Sequence, residues 1–262
     1  MELLRPAGRP PMRVGHRGAA ARAPENTLAG FNRALELGVD AIEFDVLPLA
    51  DGTLVLAHSD DLAELTHGAA EGRVGMRTLG ELRALAPQLP TFDEALEHLA
   101  REAPRTVLQV DVKWIGYEAD VVEALRRHGV VERTFVSSFF SDSLRTIGRL
   151  EPALPLGLTY PLDRRGLSRR RELAPVVLAL LAVLRRTLPY RVVPMLEEVG
   201  ASVATLHWLV VSRAVVERCH ASGIAVFAWT VNDPRAAERL ARQGVDGVIS
   251  DDPGIFHGTL GA

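Results

Sequence analysis

Glu43 and Asp45 stand two apart in the apolar run Ala41 to Val46, and in an extended strand that spacing sends both carboxylates to one side. Ile42, Phe44 and Val46 mark the strand as buried, and two like charges held together away from water require a cation. Oxygen donors select a hard ion, Mg²⁺ or Ca²⁺, and Asp111, near the end of the next parallel run, is placed to supply a third carboxylate. Lys113 follows Asp111 by two and shares its side, where an ammonium suits a phosphate oxygen; the plainer alternative is an ion pair with a carboxylate. His16-Arg17-Gly18 closes the first apolar run. Its imidazole can move protons near neutral pH, its guanidinium can grip phosphate and its glycine permits close backbone approach. Alone this triplet is weak, because histidines at strand ends are often structural. With His58 as a second imidazole, one ring can deprotonate the attacking oxygen and the other protonate the leaving alkoxide, while an ion polarises the phosphoryl group. No serine or cysteine nucleophile is then needed.

These residues need a frame that gathers strand ends. Short β-branched runs alternate with stretches of helical period, the pattern of a parallel sheet with helical crossovers. The strands are expected at Arg13 to His16, Ala41 to Val46, Thr106 to Lys113, Thr134 to Phe139, Pro155 to Thr159, Ser202 to Leu206, Ile224 to Thr230 and Gly247 to Ser250. Their number fits a closed (β/α)8 TIM barrel, in which active sites lie at the C-terminal ends of the strands. Helices are expected at Thr27 to Leu37, Glu118 to His128, Ser141 to Leu150, Val211 to Ala221 and Pro234 to Arg242, with Gly38, Gly129, Gly223 and Gly244 as stop signals. An extra strand, Leu54 to His58, follows the second too closely for a crossover, and Asp51-Gly52 between them signals a hairpin. With those two residues as the turn, His58 lies opposite Asp45.

The 262 residues, 47% hydrophobic and 24% charged, are read as one domain over 1–262 with the barrel at about 12–258, since such barrels commonly reach about 250 residues. A formal charge of -3 gives no global attraction to nucleic acid, so an anionic substrate must be held by a local cluster. Cys219 is the only cysteine, which excludes an internal disulfide, reads as core packing and is compatible with a reducing compartment; the cytosol is the expected location. Met1 to Met12 lacks the apolar core of a signal peptide. The apolar run Ala174 to Leu184 is bracketed by Arg169 to Arg171 and by Arg185 and Arg186, and is too short to span a bilayer, which takes about 20 residues. The expectation is a buried barrel helix with solvated arginine ends; the alternative is a lip over 169–186 that makes peripheral contact with anionic lipid. His67, His98, His128, His207, His220 and His257 receive no role, although His207 follows a strand.

Taken together, His16-Arg17-Gly18, Pro24-Glu25-Asn26-Thr27, Glu43-Phe44-Asp45-Val46, the Asp51-Gly52 turn and His58, Trp229-Thr230-Val231-Asn232, and the closing Gly244 to Asp251 with Pro253 resemble the glycerophosphodiester phosphodiesterases. This is the barrel family related to phosphatidylinositol-specific phospholipase C. The resemblance spans nearly the whole chain. It implies one divalent ion, Ca²⁺ or Mg²⁺, on Glu43, Asp45 and Asp111, His16 and His58 as acid and base, and Arg17 and Lys113 on phosphate. Glu25 and Asn26 would brace the site, and Trp229 would pack against the glycerol or head group. The implied products are glycerol 3-phosphate and an alcohol, by a route in which the neighbouring glycerol hydroxyl attacks phosphorus and the histidines exchange roles as water opens the cyclic intermediate. The chain departs from the family at Asp111, where glutamate is commoner, at Ser59, where aspartate usually follows the histidine, and in its compact stretch between His58 and Thr91. Two alternatives stay open: a phospholipase D-like action on lysophospholipids, with the acyl chain received by Ala174 to Leu184, and a catalytically silent barrel that binds phosphorylated metabolites.

Overall fold

A computed structural model describes residues 1–6, 8–163 and 171–260. β1 (Met12–His16) leads through α1 (Leu28–Glu36) to β2 (Ala41–Pro48), which turns back into the short β3 (Leu54–Val55). After α2 (Leu62–Leu65), α3 (Leu79–Leu85) and α4 (Phe92–Glu102), the chain alternates as β4 (Val107–Val112), α5 (Glu118–Arg127), β5 (Thr134–Ser138), α6 (Ser141–Leu150) and β6 (Leu156–Tyr160). It continues with α7 (Ala174–Thr187), α8 (Val192–Glu197), β7 (Val203–His207), α9 (Arg213–Ala221), β8 (Ala225–Trp229), α10 (Pro234–Gln243) and β9 (Gly247–Ser250). β1 pairs in parallel with both β2 and β9, which closes an eight-stranded parallel barrel with β3 outside on β2. This is the TIM barrel with one extra strand that the sequence pattern predicts.

The strand period divides the apolar residues into two layers. One set packs the sheet against the helices, with Phe31, Phe44, Phe92, Val110, Leu144 and Val226 among its members. The alternate set, Val14, Ala41, Phe135, Val203, Phe227 and Ile249, fills the barrel interior. There the Phe135 and Phe227 rings meet at 5.3 Å, and Gly247 makes room for them, since a Cβ at that position would lie 2.3 Å from the Phe227 ring. Two residues further along each strand the same inward side turns polar. Val14 gives way to His16, Ala41 to Glu43 and then Asp45, Phe135 to Ser137, and Val203 to Thr205. The apolar plug thus forms a floor on which the polar side chains stand.

Two expectations are corrected. The hairpin is one position out of the expected register: Leu47 faces Val55 and Pro48 faces Leu54. Leu49 and Thr53 close a three-residue loop (Leu49 N to Thr53 O, 2.8 Å), with Gly52 at φ 85° supplying the left-handed position such a loop needs. β3 ends before His58, because Leu56 N donates to Pro90 O at 3.2 Å and Val55 bridges to Thr91. His58 is therefore not a hairpin partner of Asp45. The second correction concerns the Ala174 to Leu184 run, which is helical but not buried. None of the described residues of α7 is buried, and Val176, Leu178, Leu180 and Val183 are 52%, 56%, 48% and 57% exposed. Only Leu181 and Leu184 lean on the core, so the barrel covers one stripe and leaves the rest of the helix open. Arg169 and Arg170 lie outside the described residues. Among those described, no helix is long and apolar enough to cross a membrane.

Candidate active site

Glu43 and Asp45 from β2 and Asp111 from β4 converge at the C-terminal end of the barrel. Asp45 and Asp111 are register partners on adjacent strands. One carboxylate oxygen from each of the three lies within 4.8 Å of the others, and all three side chains are buried. Two fixed cations neutralise part of this charge. Lys113 Nζ is 3.0 Å from Asp45 Oδ1 and 2.9 Å from Asp111 Oδ2, and Arg17 Nε is 3.1 Å from Asp45 Oδ2. Burial alone would raise the Asp45 pKa, but Lys113, Arg17 and then the two histidines outweigh it and hold Asp45 well below the usual carboxylate range. Glu43 has the opposite fate. Burial, with the charges of Asp45 and Asp111 added, pushes its carboxyl well above its ordinary value, and its partners are the Arg17 amide at 2.9 Å and His16 Nε2 at 3.8 Å. With Arg17 shared between Asp45 and Glu25, the two cations do not cover the three carboxylates, and the uncompensated charge falls on Glu43. Three hard oxygens with a surplus negative charge fit a hard divalent cation.

The two histidines flank this cluster and are held alike. His16 Nδ1 lies 2.5 Å from Asp251 Oδ1, and Asp251 is fixed in turn by Asn232, whose Nδ2 donates to Oδ2 at 2.6 Å and whose Oδ1 accepts from the Asp251 amide at 3.0 Å. His58 Nδ1 pairs with Glu64 Oε1, and Ser59 Oγ donates to the other Glu64 oxygen at 2.8 Å. A carboxylate on Nδ1 fixes the tautomer that leaves Nε2 for chemistry. Burial, with a contribution from Arg17, lowers the His16 pKa against the opposing pull of Asp251 and Asp45. Burial thus favours the neutral form of the His16 ring.

The loop after β1 braces the carboxylates. Asn26 Nδ2 donates to Asp45 Oδ2 at 2.9 Å while its Oδ1 accepts from the Asp45 amide at 3.1 Å. Arg17 Nη1 donates to Glu25 Oε2 at 2.9 Å. Arg17 and Asn26 sit at φ 51° and 54°, a left-handed backbone that costs about 1 kcal/mol or more for a residue with a side chain and marks a constrained loop. Thr27 then caps α1 by accepting from the Gly30 amide at 3.0 Å, which anchors the loop to the first helix.

The cavity over the cluster has a volume of about 450 Å³ and is lined by His16, Arg17, Glu43, Asp45, His58, Asp111 and Lys113 together with Trp114, Phe139, Phe140, Leu162 and Trp229. Trp229 donates from Nε1 to Thr205 O at 3.0 Å and meets the Phe139 and His207 rings edge-on at 5.8 and 5.4 Å. The structure therefore brings every site residue predicted from the sequence to one end of the barrel, and His207 serves as a wall for Trp229. Glu64, Ser59, Asn232 and Asp251 lie against these residues without having been assigned a role. Asn232 and Asp251 stand in motifs the sequence made conspicuous, whereas nothing local marks Glu64. Gln109, Thr159 and Thr205 are a further set, whose Oε1 and Oγ1 atoms are buried without a hydrogen-bond partner on the wall of the same cavity.

A TIM barrel with a buried carboxylate cluster between two carboxylate-held imidazoles defines a class, the barrel hydrolases of phosphodiesters. The model of the glycerophosphoryl diester phosphodiesterase family matches residues 16–255, and the chain belongs to that family of glycerophosphodiester phosphodiesterases. It is 31% identical to the glycerophosphodiester phosphodiesterase of Caldanaerobacter subterraneus subsp. tengcongensis over 254 residues, 92% of this chain and 93% of the relative. It is 27% identical to that of Bacillus altitudinis, over 91% of this chain and 93% of the relative. Among solved structures, the Oleispira antarctica phosphodiesterase in complex with the product sn-glycerol-3-phosphate superposes with a TM-score of 0.76. That match covers 97% of this chain and 98% of the other at 24% identity, a likeness of fold.

Proposed function

We propose that the chain, as one catalytic domain over 1–262, hydrolyses glycerophosphodiesters to glycerol 3-phosphate and an alcohol with His16 and His58 as proton carriers. The observation that carries this reading is the pair of carboxylate-held imidazoles, His16 on Asp251 and His58 on Glu64, on either side of the Glu43, Asp45 and Asp111 cluster. Those three residues would hold one Mg²⁺ or Ca²⁺, which when bound polarises the phosphoryl oxygens. Asp111, the family departure, is supported as a ligand by its place within the 4.8 Å cluster and by Ser137 Oγ, which donates to its Oδ1 at 2.6 Å. His16 Nε2 takes the proton of the attacking hydroxyl, a role suited to a ring whose neutral form burial favours. His58 gives a proton to the leaving alkoxide, and the two exchange roles if a cyclic phosphate is then opened by water. Arg17 and Lys113 face the same cavity and would hold the phosphate, Lys113 from its place beside Asp45 and Asp111. Asn26 and Glu25 keep Asp45 and Arg17 in place, and Trp229 with Phe139 edge-on to it offers an apolar wall to the glycerol or head group. The single buried cysteine supports work in the cytosol.

The test is hydrolysis of glycerophosphocholine with and without chelator. Turnover that chelator abolishes and Mg²⁺ or Ca²⁺ restores is expected; turnover indifferent to chelator would remove the ion from the reading. For the lysophospholipid alternative, no residue of α7 lines the cavity, and its support rests on Trp114, Phe140 and Leu162 at the mouth. Faster hydrolysis of lysophosphatidylcholine than of glycerophosphocholine would favour it.

A further inference from the structure

We propose that α7 and the turn that follows it seat the catalytic face of the barrel on an anionic phospholipid bilayer. The helix is apolar around almost its whole circumference (APVVLALLAV at its start), yet the barrel covers only the stripe through Leu181 and Leu184. Val176, Leu178, Leu180 and Val183 each remain about half exposed. A helix that is apolar all round is ordinarily covered by something, because a continuous apolar patch in water marks a contact surface.

Charge selects the occupant. Between Glu172 and Glu197 the sequence holds Arg185, Arg186 and Arg191 and no acidic residue, in a chain whose formal charge is -3. Arg185 is committed to the fold, donating to Leu209 O at 3.3 Å and to Val211 O, which pins the end of α7 to the turn after β7. Arg186 and Arg191 are exposed, and Tyr190 beside them is 75% exposed with the Arg218 guanidinium 5.6 Å from its ring centre. Exposed valines and leucines along the helix, with the exposed Arg186, Tyr190 and Arg191 at its C-terminal end, suit a lipid surface whose head groups are negative. A second copy docked face to face would instead bring the same arginines together.

Position gives the contact a purpose. α7 follows Pro161, Leu162 and Asp163 in the chain, which line the cavity, and it packs on Trp208–Val210 directly after the C-terminal end of β7. On the β4 side of the same mouth, Trp114 and Ile115 are 45% and 61% exposed. The mouth is thus flanked by apolar side chains on two sides, and a barrel resting on them would open its cavity toward the lipid surface.

Vesicle sedimentation tests this with the full chain. It compares vesicles of phosphatidylglycerol and phosphatidylcholine with vesicles of phosphatidylcholine alone, at low salt and at about 0.5 M salt, where the Debye length falls to a few ångströms. The variants are the triple Leu178→Ser, Leu180→Ser, Val183→Ser and the double Arg186→Glu, Arg191→Glu, each with its thermal unfolding checked against the parent. Expected are binding to the anionic vesicles that exceeds binding to phosphatidylcholine by about tenfold or more, weakening in salt, and a loss of about tenfold or more in both variants. Absence of binding to anionic vesicles, or equal binding by parent and folded variants, overturns the proposal. So does a concentration-dependent dimer in analytical ultracentrifugation that the triple serine variant dissolves, because a second copy would then be what covers α7.

Discussion

The two halves of the barrel mouth are built on different principles. On β1, β2, β4 and β9 the interior positions carry His16, Glu43, Asp45, Asp111 and, just past the strand end, Asp251, nearly all tied by hydrogen bonds or ion pairs to a neighbour. On β5 to β8 and the residues just after them, the corresponding wall is Phe139, Thr159, Thr205 and Trp229, and the two threonine hydroxyls have no partner at all. A wall of fixed charges is preorganised for electrostatic work and changes little when substrate arrives. A wall of rings and unpaired hydroxyls is prepared to accept the body of a ligand. Under the proposed function the charged half carries the chemistry and the accepting half the recognition, and each assignment can be broken on its own side.

The charged half gives the largest expected effect. His16→Ala or His58→Ala lowers kcat for glycerophosphodiester hydrolysis by about 10³-fold, the usual weight of a proton carrier, and a loss smaller than about tenfold in steady-state assays would remove that residue from the chemistry. Glu43 comes next, through stability. Burial and two neighbouring carboxylates raise its pKa in the folded chain, so the folded state favours the protonated form. Folding stability without an ion therefore falls as pH rises from the ordinary glutamate range through the raised value. In chelator Glu43→Gln raises the melting temperature by about 4 °C or more near neutral pH, and the gain shrinks toward pH 4. Calorimetry at the two pH values reads both signs, and a variant less stable than the parent at neutral pH in chelator sinks the idea of surplus charge.

The legibility of the two halves differs for the same physical reason. Strands, crossovers and closure were readable because apolar runs of period two and helical stretches with glycine stops recur along the chain. The carboxylates were readable because Glu43 and Asp45 interrupt a run that should be buried, and an uncompensated buried charge announces a site. His58 was readable as a residue but not as a position, since the hairpin loop takes three residues where two were expected and the chain leaves β2 for Pro90 and Thr91. Glu64 was invisible because its meeting with His58 depends on how a short loop and the four-residue α2 fold back. α7 misled because an apolar run states that cover is needed without stating whether the chain itself provides it.

Glu64 supplies the third prediction. Glu64→Gln keeps the shape of the side chain but removes the charge that fixes His58, so kcat falls by about 10 to 100-fold, as when a partner that orients a functional histidine is lost, while KM holds. A KM effect alone would reassign Glu64 to substrate contact.

The smallest effect tests the accepting half. Thr205 is 2% exposed, and its Oγ1 has no partner, an arrangement that costs about 1–3 kcal/mol when nothing satisfies the hydroxyl. Thr205→Val keeps the shape and removes the polar atom. If a substrate hydroxyl is the missing partner, KM rises by about threefold to tenfold, the equivalent of one hydrogen bond, with kcat held and the free protein as stable as the parent or more so. The same substitution tried at Thr159 reports whether the hydroxyls act separately. Unchanged KM in both, with higher melting temperatures, would make this wall a plain surface and leave substrate recognition to the charged half alone.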